Sequence, residues 1–544
     1  MQNHRIGGVV GQVAPASDLL PTLVAALLAL ICLILFYVIV KRVVGKGMGF
    51  WEGVGLVGMA ALAALAVMFG GQRFAVDNAQ QAVKPERLTL DAALAGWLTE
   101  LYTQREGLAR NAGGPALPVY FIDAEGGGIR SAYWTALVLQ RLVAEVPDFR
   151  IRSFSYSGVS GGSVGLAVDR ACDGRPKAGG PRCLDSLGNA DLITPLISTW
   201  LFEDVLAQIL PTSFCDAPAC GVLSRGLRFE NAMLYALPRL AGGVAASHPA
   251  IGEPHQPYLF LNSTWVESGE RAIASKVKVN WREFPAARDQ LTLLQRDLSL
   301  ATASHNSARF PFINAIGALQ VPDGNCRPEP VQTGVSGKAK VCGHLADGGY
   351  FDNSGGHTTA NILAGLARCL SDMPGEVCAK RPDVREWARR TLAPQVIQIR
   401  NGIRPAEDER QSCDEPRPPR TAIDVVPISY DRASDAYQPG RPGCNGQMKL
   451  YGELLGPLVT AINTTGIGAN GKLAEADLWQ QVTTLFGQRT DGAPPVVHID
   501  LIEDGEFLYP LGWHLSPIAR KGMQRQVSDV RLLLRVAGRG ASGS

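Results

Sequence analysis

A run of three glycines directly after a strand-like segment is the feature of this sequence that most constrains its fold. Residues 117–122 are apolar, and Gly126, Gly127 and Gly128 follow in the stretch DAEGGGIRSAYW. Glycine loses more conformational entropy on folding than any other residue, so three in a row indicate a place where bare backbone is needed. Residues 131–146 then have helical apolar spacing. The pattern predicts a strand, a glycine-rich turn and a helix.

The same order of elements recurs along the chain, which is typical of an α/β fold with a mainly parallel central sheet. Further strand candidates are residues 151–156, 258–261, 396–399 and 496–502, and further helix candidates are residues 355–370 and 516–536. We expect one domain over residues 115–544. Its insertions are expected near residues 173–250, which are rich in Gly, Pro and Cys, and near residues 401–446, which are irregular.

Two long apolar segments precede this domain. Residues 19–40 and 53–72 contain no charged side chain, and each is long enough to cross a hydrocarbon layer of about 30 Å as a helix. They predict a two-helix transmembrane hairpin over residues 19–72 after a tail of residues 1–18. A pair of buried core helices is the alternative.

An amphipathic connecting helix and linker are expected over residues 73–114. Apolar positions recur at helical spacing between Leu90 and Leu101. The helix has two possible places, the membrane surface or the globular domain, and its polar face is not notably basic.

Charge and cysteine content both suggest which way the chain faces. Lys41, Arg42 and Lys46 lie between the two spans, so the positive-inside tendency places this short loop in the cytoplasm. Cys32 lies in the first span, and the other ten cysteines fall in order into five close pairs, as expected for disulfides in an oxidising compartment. Ten reduced, buried thiols are the alternative.

We therefore expect a multi-pass protein of a bacterial inner membrane with residues 115–544 in the periplasm, or else on the cytoplasmic face. The absence of a C-x-x-C pair argues against a zinc site. The 52 basic and 50 acidic residues are spread along the chain, which argues against a nucleic-acid partner.

A candidate nucleophile follows the second predicted strand. In SYSGVSGGSVG, Ser160 has glycines two residues before it and two residues after it, which is the G-x-S-x-G pattern. Such glycines permit the sharp strand-to-helix turn that exposes a serine hydroxyl. Ser163 in the same turn lacks this arrangement, and a glycine-rich turn with a capping serine would give the same pattern.

Two other segments supply what an attacking serine needs. The amides of Gly126, Gly127 and Gly128 are candidate donors to the negative oxygen of a tetrahedral intermediate. Asp347 opens a D-G-G motif in LADGGYFDNSGG and is a candidate general base. An ordinary Asp-Gly turn is the alternative for that motif. The chain lacks G-x-x-x-x-G-K-[ST], and EGGGIR lacks the spacing of G-x-G-x-x-G.

The three motifs in this chain order resemble the patatin-like phospholipase family over roughly residues 115–360. The segments LFLNSTWVESGERAIAS and HNSARFPF are also similar to parts of such domains. Ser131 is a departure, because these proteins often have another glycine there.

The resemblance implies a three-layer α/β/α domain that hydrolyses lipid acyl esters with a Ser–Asp dyad and no metal or other cofactor. By position, Ser160 would be the nucleophile and Asp347 the base. Gly126, Gly127 and Gly128 would form the oxyanion hole, and Arg130 would brace that loop or meet the lipid phosphate.

The resulting hypothesis is a membrane-anchored phospholipase A or lysophospholipase-like enzyme that acts on phospholipid or lysophospholipid at the bilayer. An acyltransferase that uses the same acyl-serine and a catalytically inactive membrane scaffold are the alternatives. A Ser–His–Asp triad through His344 or His357 is an alternative to the dyad, since both histidines are close to Asp347 in sequence.

Overall fold

The computed structural model describes residues 87–112, 116–172, 183–199, 225–246, 255–310, 313–314, 316–321, 340–401, 478, 480, 482–486, 495–501, 509 and 512–528. The predicted hairpin over residues 19–72 and nearly all of the predicted 401–446 insertion lie outside these residues. So does much of the 173–250 insertion. Within the described ranges, no helix is both long enough and apolar enough to span a bilayer.

A mainly parallel sheet forms the centre of the described structure. In chain order its strands are β1 (Leu117–Ala124), β2 (Ser153–Val159), β3 (Tyr258–Trp265), β4 (Arg271–Ser275), β5 (Ala287–Asp289), β6 (Gly317–Val321), β7 (Lys340–Asp347), β8 (Leu392–Arg400) and β9 (Val496–Asp500). The spatial order is β5-β4-β3-β2-β1-β8-β9, and the β6–β7 pair is attached through β7 to β3.

The strands that precede the glycine loop and the serine turn, β1 and β2, lie in the parallel part of the sheet. β1 pairs in parallel with β2 and β8, β2 with β3, and β8 with β9. The antiparallel pairs of the described sheet are β3 with β4, β3 with β7, and β6 with β7. The carboxyl ends of β1, β2, β3 and β8 therefore meet at one edge, where open α/β sheets bind ligands.

Helices surround the sheet. Those with defined bounds are α1 (Leu90–Thr103), α2 (Arg105–Ala112), α3 (Gly128–Glu145), α4 (Phe149–Arg152), α5 (Gly161–Ala171), α6 (Cys183–Gly188), α7 (Ile193–Ser198), α8 (Arg225–Ala236), α9 (Gln290–Leu294), α10 (Leu300–Ser307), α11 (Gly356–Leu370), α12 (Glu376–Ala379), α13 (Pro382–Thr391) and α14 (Pro517–Val527).

Alternate residues of β1 enter two separate hydrophobic clusters. Tyr120 and Ile122 pack in one cluster with side chains of α3 and α5. Val119 and Phe121 pack in the other with side chains of α1 and α11, including Trp97. Because successive side chains of a strand point to opposite faces, the sheet has a covered core on each side. This is the α/β architecture that the strand and helix pattern predicts.

Helix α1 is the predicted connecting helix, and it packs on the globular domain. Its apolar positions are buried: Leu90, Ala93, Leu94, Trp97, Leu98 and Leu101. The Trp97 indole N–H donates to the Ile151 carbonyl at 2.8 Å, so even its polar atom is satisfied within the domain. Of the two places considered for this helix, the structure has the one against the domain.

Two of the five expected neighbouring cysteine pairs are disulfide-bonded in the structure. Cys172 at the end of α5 is joined to Cys183 at the start of α6, and Cys369 in α11 is joined to Cys378 in α12. The side chains of the other cysteines lie outside the described residues. Each bond closes a short loop beside a buried helix end.

We expect the Cys172–Cys183 bond to stabilise the domain. Replacing both cysteines with alanine should lower the free energy of unfolding by about 2–3 kcal/mol, because a cross-link across this short loop restricts the unfolded chain. Thermal unfolding of the oxidised and reduced proteins measures the effect. Reductant should lower the melting temperature of the double variant by less than that of the wild type, because this bond is already absent. An equal decrease in both proteins would contradict the prediction.

Candidate active site

Ser160 occupies the sharp turn between β2 and α5. Its backbone has φ 50° and ψ −124°, a combination that non-glycine residues rarely adopt. Such backbone strain persists only where the surrounding structure enforces it. The turn has the strand–serine–helix form expected of a nucleophile elbow, and the side chain is 7% exposed.

Asp347, the first residue of the D-G-G motif, contacts Ser160 from a different strand. It is the last residue of β7, which runs antiparallel to β3 and places Asp347 opposite Ser263. The Ser160 Oγ donates to Asp347 Oδ2 at 2.6 Å, across 187 residues of sequence. This is within the range for a nucleophile and its general base.

Burial changes the chemistry of this carboxyl group. Asp347 is 4% exposed, and desolvation raises its pKa from 3.8 to about 6, although hydrogen bonds from Ser160 and the Gly349 amide act in the opposite direction. Desolvation disfavours the ionised form of an acid. The group is therefore a stronger base than an exposed aspartate and is still largely ionised at neutral pH.

Backbone contacts fix the orientation of Asp347. Its Oδ1 accepts from the Gly349 N–H at 2.8 Å, and its own N–H donates to the Arg309 carbonyl at 2.9 Å. Its carbonyl accepts from the Thr264 hydroxyl at 2.9 Å. With Oδ1 held, Oδ2 is left for the serine.

The glycine-rich loop lies directly against the serine turn. A Cβ on Gly161 would lie 2.0 Å from the Gly128 carbonyl oxygen, and a Cβ on Gly162 would lie 2.3 Å from the Ala124 carbonyl oxygen. A Cβ on Gly126 would lie 3.0 Å from the Ser160 Cβ. Side chains at these positions would separate the two segments, so the glycines permit a backbone-to-backbone contact.

The three loop glycines differ in which amides are available. The Gly126 N–H donates to the Asn353 carbonyl at 3.0 Å, so this amide is already occupied. Within the described part of the chain, the amides of Gly127, Gly128 and Gly161 have no hydrogen-bond acceptor. Of the predicted oxyanion donors, Gly127 and Gly128 therefore have amides without an acceptor among the described residues, and Gly161 is a further candidate donor.

Arg130 braces the loop through a second residue. Its Nε and Nη2 donate to Asn401 Oδ1 at 3.1 and 2.7 Å, and its Nη1 donates to the Tyr509 carbonyl at 3.2 Å. The Asn401 amide group in turn donates to the Gly126 carbonyl. Of the two roles considered for Arg130, these contacts favour the bracing role.

Histidines do not contact the serine–aspartate pair within the described residues. His344 is three residues from Asp347 on β7, so its side chain points to the opposite face, where Nδ1 lies 2.5 Å from Glu267 Oε1. The His357 ring packs edge-on against Phe351. The partners of the Asp347 carboxyl group are the Ser160 hydroxyl and the Gly349 amide.

Two aromatic side chains lie next to the base. Phe310 follows Arg309, whose carbonyl holds Asp347, and its ring stacks on Tyr350 with centroids 6.2 Å apart. Burial and the nearby Asp347 charge raise the pKa of Tyr350 to about 12, so its hydroxyl stays neutral. The Phe310 and Tyr350 rings give this side of the site an apolar surface.

One group of possible metal ligands occurs in the described residues: Asp91, Cys369 and Cys378. The two cysteine sulfurs are bonded to each other, and a disulfide offers no thiolate to a metal ion. The group is also distinct from the Ser160–Asp347 pair.

Comparisons with known proteins give no assignment. No protein-family model matches the chain, and no curated protein matches it either.

Several residues of the site could not be singled out from sequence motifs. Asn353 and Asn401 hold the glycine loop, and Ser307 contacts the Ser160 amide at 2.9 Å. Asn353 lies in the D-G-G segment and Ser307 in HNSARFPF, so both are close in sequence to motifs of the site. For Asn401, the only sequence indication is its position just after a predicted strand.

The buried charge of Asp347 should make stability depend on pH. Between about pH 4 and 6 the folded carboxyl group keeps a proton that the unfolded one has lost, so the free energy of unfolding falls as pH rises through this window. The loss reaches about 3 kcal/mol at pH 8. Asp347→Asn avoids this loss, and its melting temperature relative to wild type should increase between pH 4 and 8. A difference that is constant with pH would contradict the raised pKa.

The contact between loop and turn can be tested with glycine variants. Gly161→Ala should lower the melting temperature, because its methyl group would meet the Gly128 backbone. Gly96→Ala, on α1 with nothing within 4 Å of the new Cβ, is the matched control and should be neutral or slightly stabilising. Thermal unfolding measures both variants. A Gly161→Ala protein as stable as the wild type would contradict this packing.

Proposed function

We propose that this protein is a serine lipid acyl hydrolase with a Ser160–Asp347 dyad in a patatin-like three-layer α/β/α domain. The observation that carries the proposal is the 2.6 Å contact between Ser160 Oγ and Asp347 Oδ2 at a strained strand-to-helix turn. Glycine amides without acceptors in the described residues lie beside this turn. These are the parts required for acyl transfer through a serine ester.

The reaction follows from the positions of these groups. Asp347 takes the hydroxyl proton as Ser160 Oγ attacks the ester carbonyl, and amides from Gly127, Gly128 and Gly161 stabilise the resulting oxyanion. Collapse of the intermediate breaks the bond to the alcohol, which leaves with the proton from Asp347, and the acyl group stays on Ser160. Water then attacks the acyl-serine with Asp347 again as base, which releases the fatty acid and restores the serine.

The surroundings of the dyad support a lipid substrate. Phe310 and Tyr350 offer aromatic surface next to the base, which suits an acyl chain. The Arg130 guanidinium is bound to Asn401 and to the Tyr509 carbonyl, so we assign it to the loop rather than to a lipid phosphate. The substrate class we propose is phospholipid or lysophospholipid.

The membrane arrangement is part of the same proposal. The hairpin over residues 19–72 would anchor the enzyme in a bacterial inner membrane, with its catalytic domain in the periplasm. Two disulfides between neighbouring cysteines support an oxidising compartment. Attachment to the bilayer would raise the effective concentration of the enzyme at its substrate.

Replacing the nucleophile tests the reaction. Ser160→Ala should lower release of fatty acid from phospholipid vesicles on the order of 10⁴-fold or more, because no other group takes over the attack. In the wild type, kcat/KM should rise with pH and level off above about 6, where Asp347 is ionised. Mass spectrometry of the products and a pH profile measure both effects.

Three controls separate the alternatives. His344→Ala should keep wild-type turnover, and a loss of several orders of magnitude would favour a triad. Transfer of the acyl group to added lysolipid, in place of release to water, would identify an acyltransferase. Absence of Ser160 labelling by a fluorophosphonate, together with unchanged lipids in Ser160→Ala, would overturn the proposal in favour of a scaffold.

A further inference from the structure

The strained backbone of Ser160 is held by the hydroxyl of another serine, Ser307, at the end of α10. The Ser160 N–H donates to Ser307 Oγ at 2.9 Å. Ser307 is fully buried, and its hydroxyl donates to the Asn262 carbonyl in β3. The contact therefore links the nucleophile turn to a neighbouring strand and to a helix.

The hydrogen-bonding capacity of Ser307 is fully used. A serine hydroxyl has one donor and two acceptor positions. Its proton goes to the Asn262 carbonyl, one acceptor position takes the Ser160 N–H, and the other lies 2.8 Å from Ser163 Oγ. Since the Ser307 proton is committed, the Ser163 hydroxyl must donate. This arrangement defines a single orientation for Ser307.

The same chain segment also holds the base. Two residues after Ser307, the Arg309 carbonyl accepts the Asp347 N–H at 2.9 Å. The Arg309 side chain is buried and donates to Asn306 Oδ1 at 2.9 Å, and it lies 3.4 Å from Glu230 Oε1 on α8. Residues 307–309 thus contact both members of the dyad, and the buried Arg309 side chain holds this segment in the core.

We propose that Ser307 is a positioning residue for the reaction, which holds the backbone of Ser160 so that its Oγ faces Asp347. This inference rests on the proposed function. Without the Ser307 hydroxyl, the Ser160 amide and the Asn262 carbonyl lose their buried partner, and the turn relaxes from its strained conformation. The substrate site is left intact, so the loss should be in the chemical step.

Ser307→Ala and Ser304→Ala form a matched pair for the test. Ser304 is also fully buried on α10, but its hydroxyl donates only within the helix, to the Leu300 and Ala301 carbonyls. Both variants remove one buried hydroxyl from the same helix. In the purified full-length protein, kcat and KM are measured with a soluble p-nitrophenyl ester, and the rate of Ser160 labelling is measured with a fluorophosphonate.

Ser307→Ala should lower kcat and the labelling rate together by about 10- to 100-fold with an unchanged KM, as expected when reacting atoms are displaced by ~1 Å. Ser304→Ala should keep both rates. If Ser307→Ala does not fold, Ser307→Cys takes its place, because a thiol keeps an atom at the position of the hydroxyl but is a weak acceptor. It should change kcat and labelling in the same direction.

The outcomes distinguish this inference from the proposed function. A folded Ser307→Ala or Ser307→Cys protein with wild-type kcat and labelling would overturn the positioning role alone. An equal loss in Ser304→Ala would also overturn it, since any buried hydroxyl of α10 would then have the same effect. A wild-type protein that is neither labelled nor active would overturn the proposed function itself.

Discussion

The close approach of two backbones, with no side chain between them, is the contact on which the rest of the site depends. Gly161 and Gly162 lie against the carbonyl groups of Gly128 and Ala124, so the serine turn and the glycine loop form one unit. This proximity places the backbone of the glycine loop beside the Ser160 turn. The loop is held from the other side by Asn353 and Asn401.

Burial of the Asp347 carboxyl group is unfavourable for its ionised form, and the same burial makes it a stronger base. A base at the protein surface would be weak and well solvated, whereas burial raises the pKa of Asp347 to about 6. The fold tolerates the ionised form because Ser160 and Gly349 donate hydrogen bonds to it. Strain at Ser160 and desolvation at Asp347 are both unfavourable in isolation, and the packed surroundings maintain them.

The antiparallel addition to the sheet is what brings the two groups together. A purely parallel sheet would supply the serine turn and the glycine loop, since both follow strands whose carboxyl ends share an edge. Asp347 instead ends a strand that pairs in the opposite direction with β3. The end of α10 and the residues after it then support both members of the pair, through Ser307 and the Arg309 carbonyl.

The sequence by itself determined the local elements and the candidate residues. Apolar runs and glycine placement predict the strand–turn–helix units at β1 and β2, because these patterns depend on neighbouring residues alone. The tertiary structure decided which distant groups meet. Neither the Ser160–Asp347 distance nor the difference between the Gly126 and Gly127 amides follows from spacing, because both depend on partners far along the chain. The bracing role of Asn401 was likewise hidden, since an asparagine after a strand has no distinctive pattern until the loop that it contacts is in place.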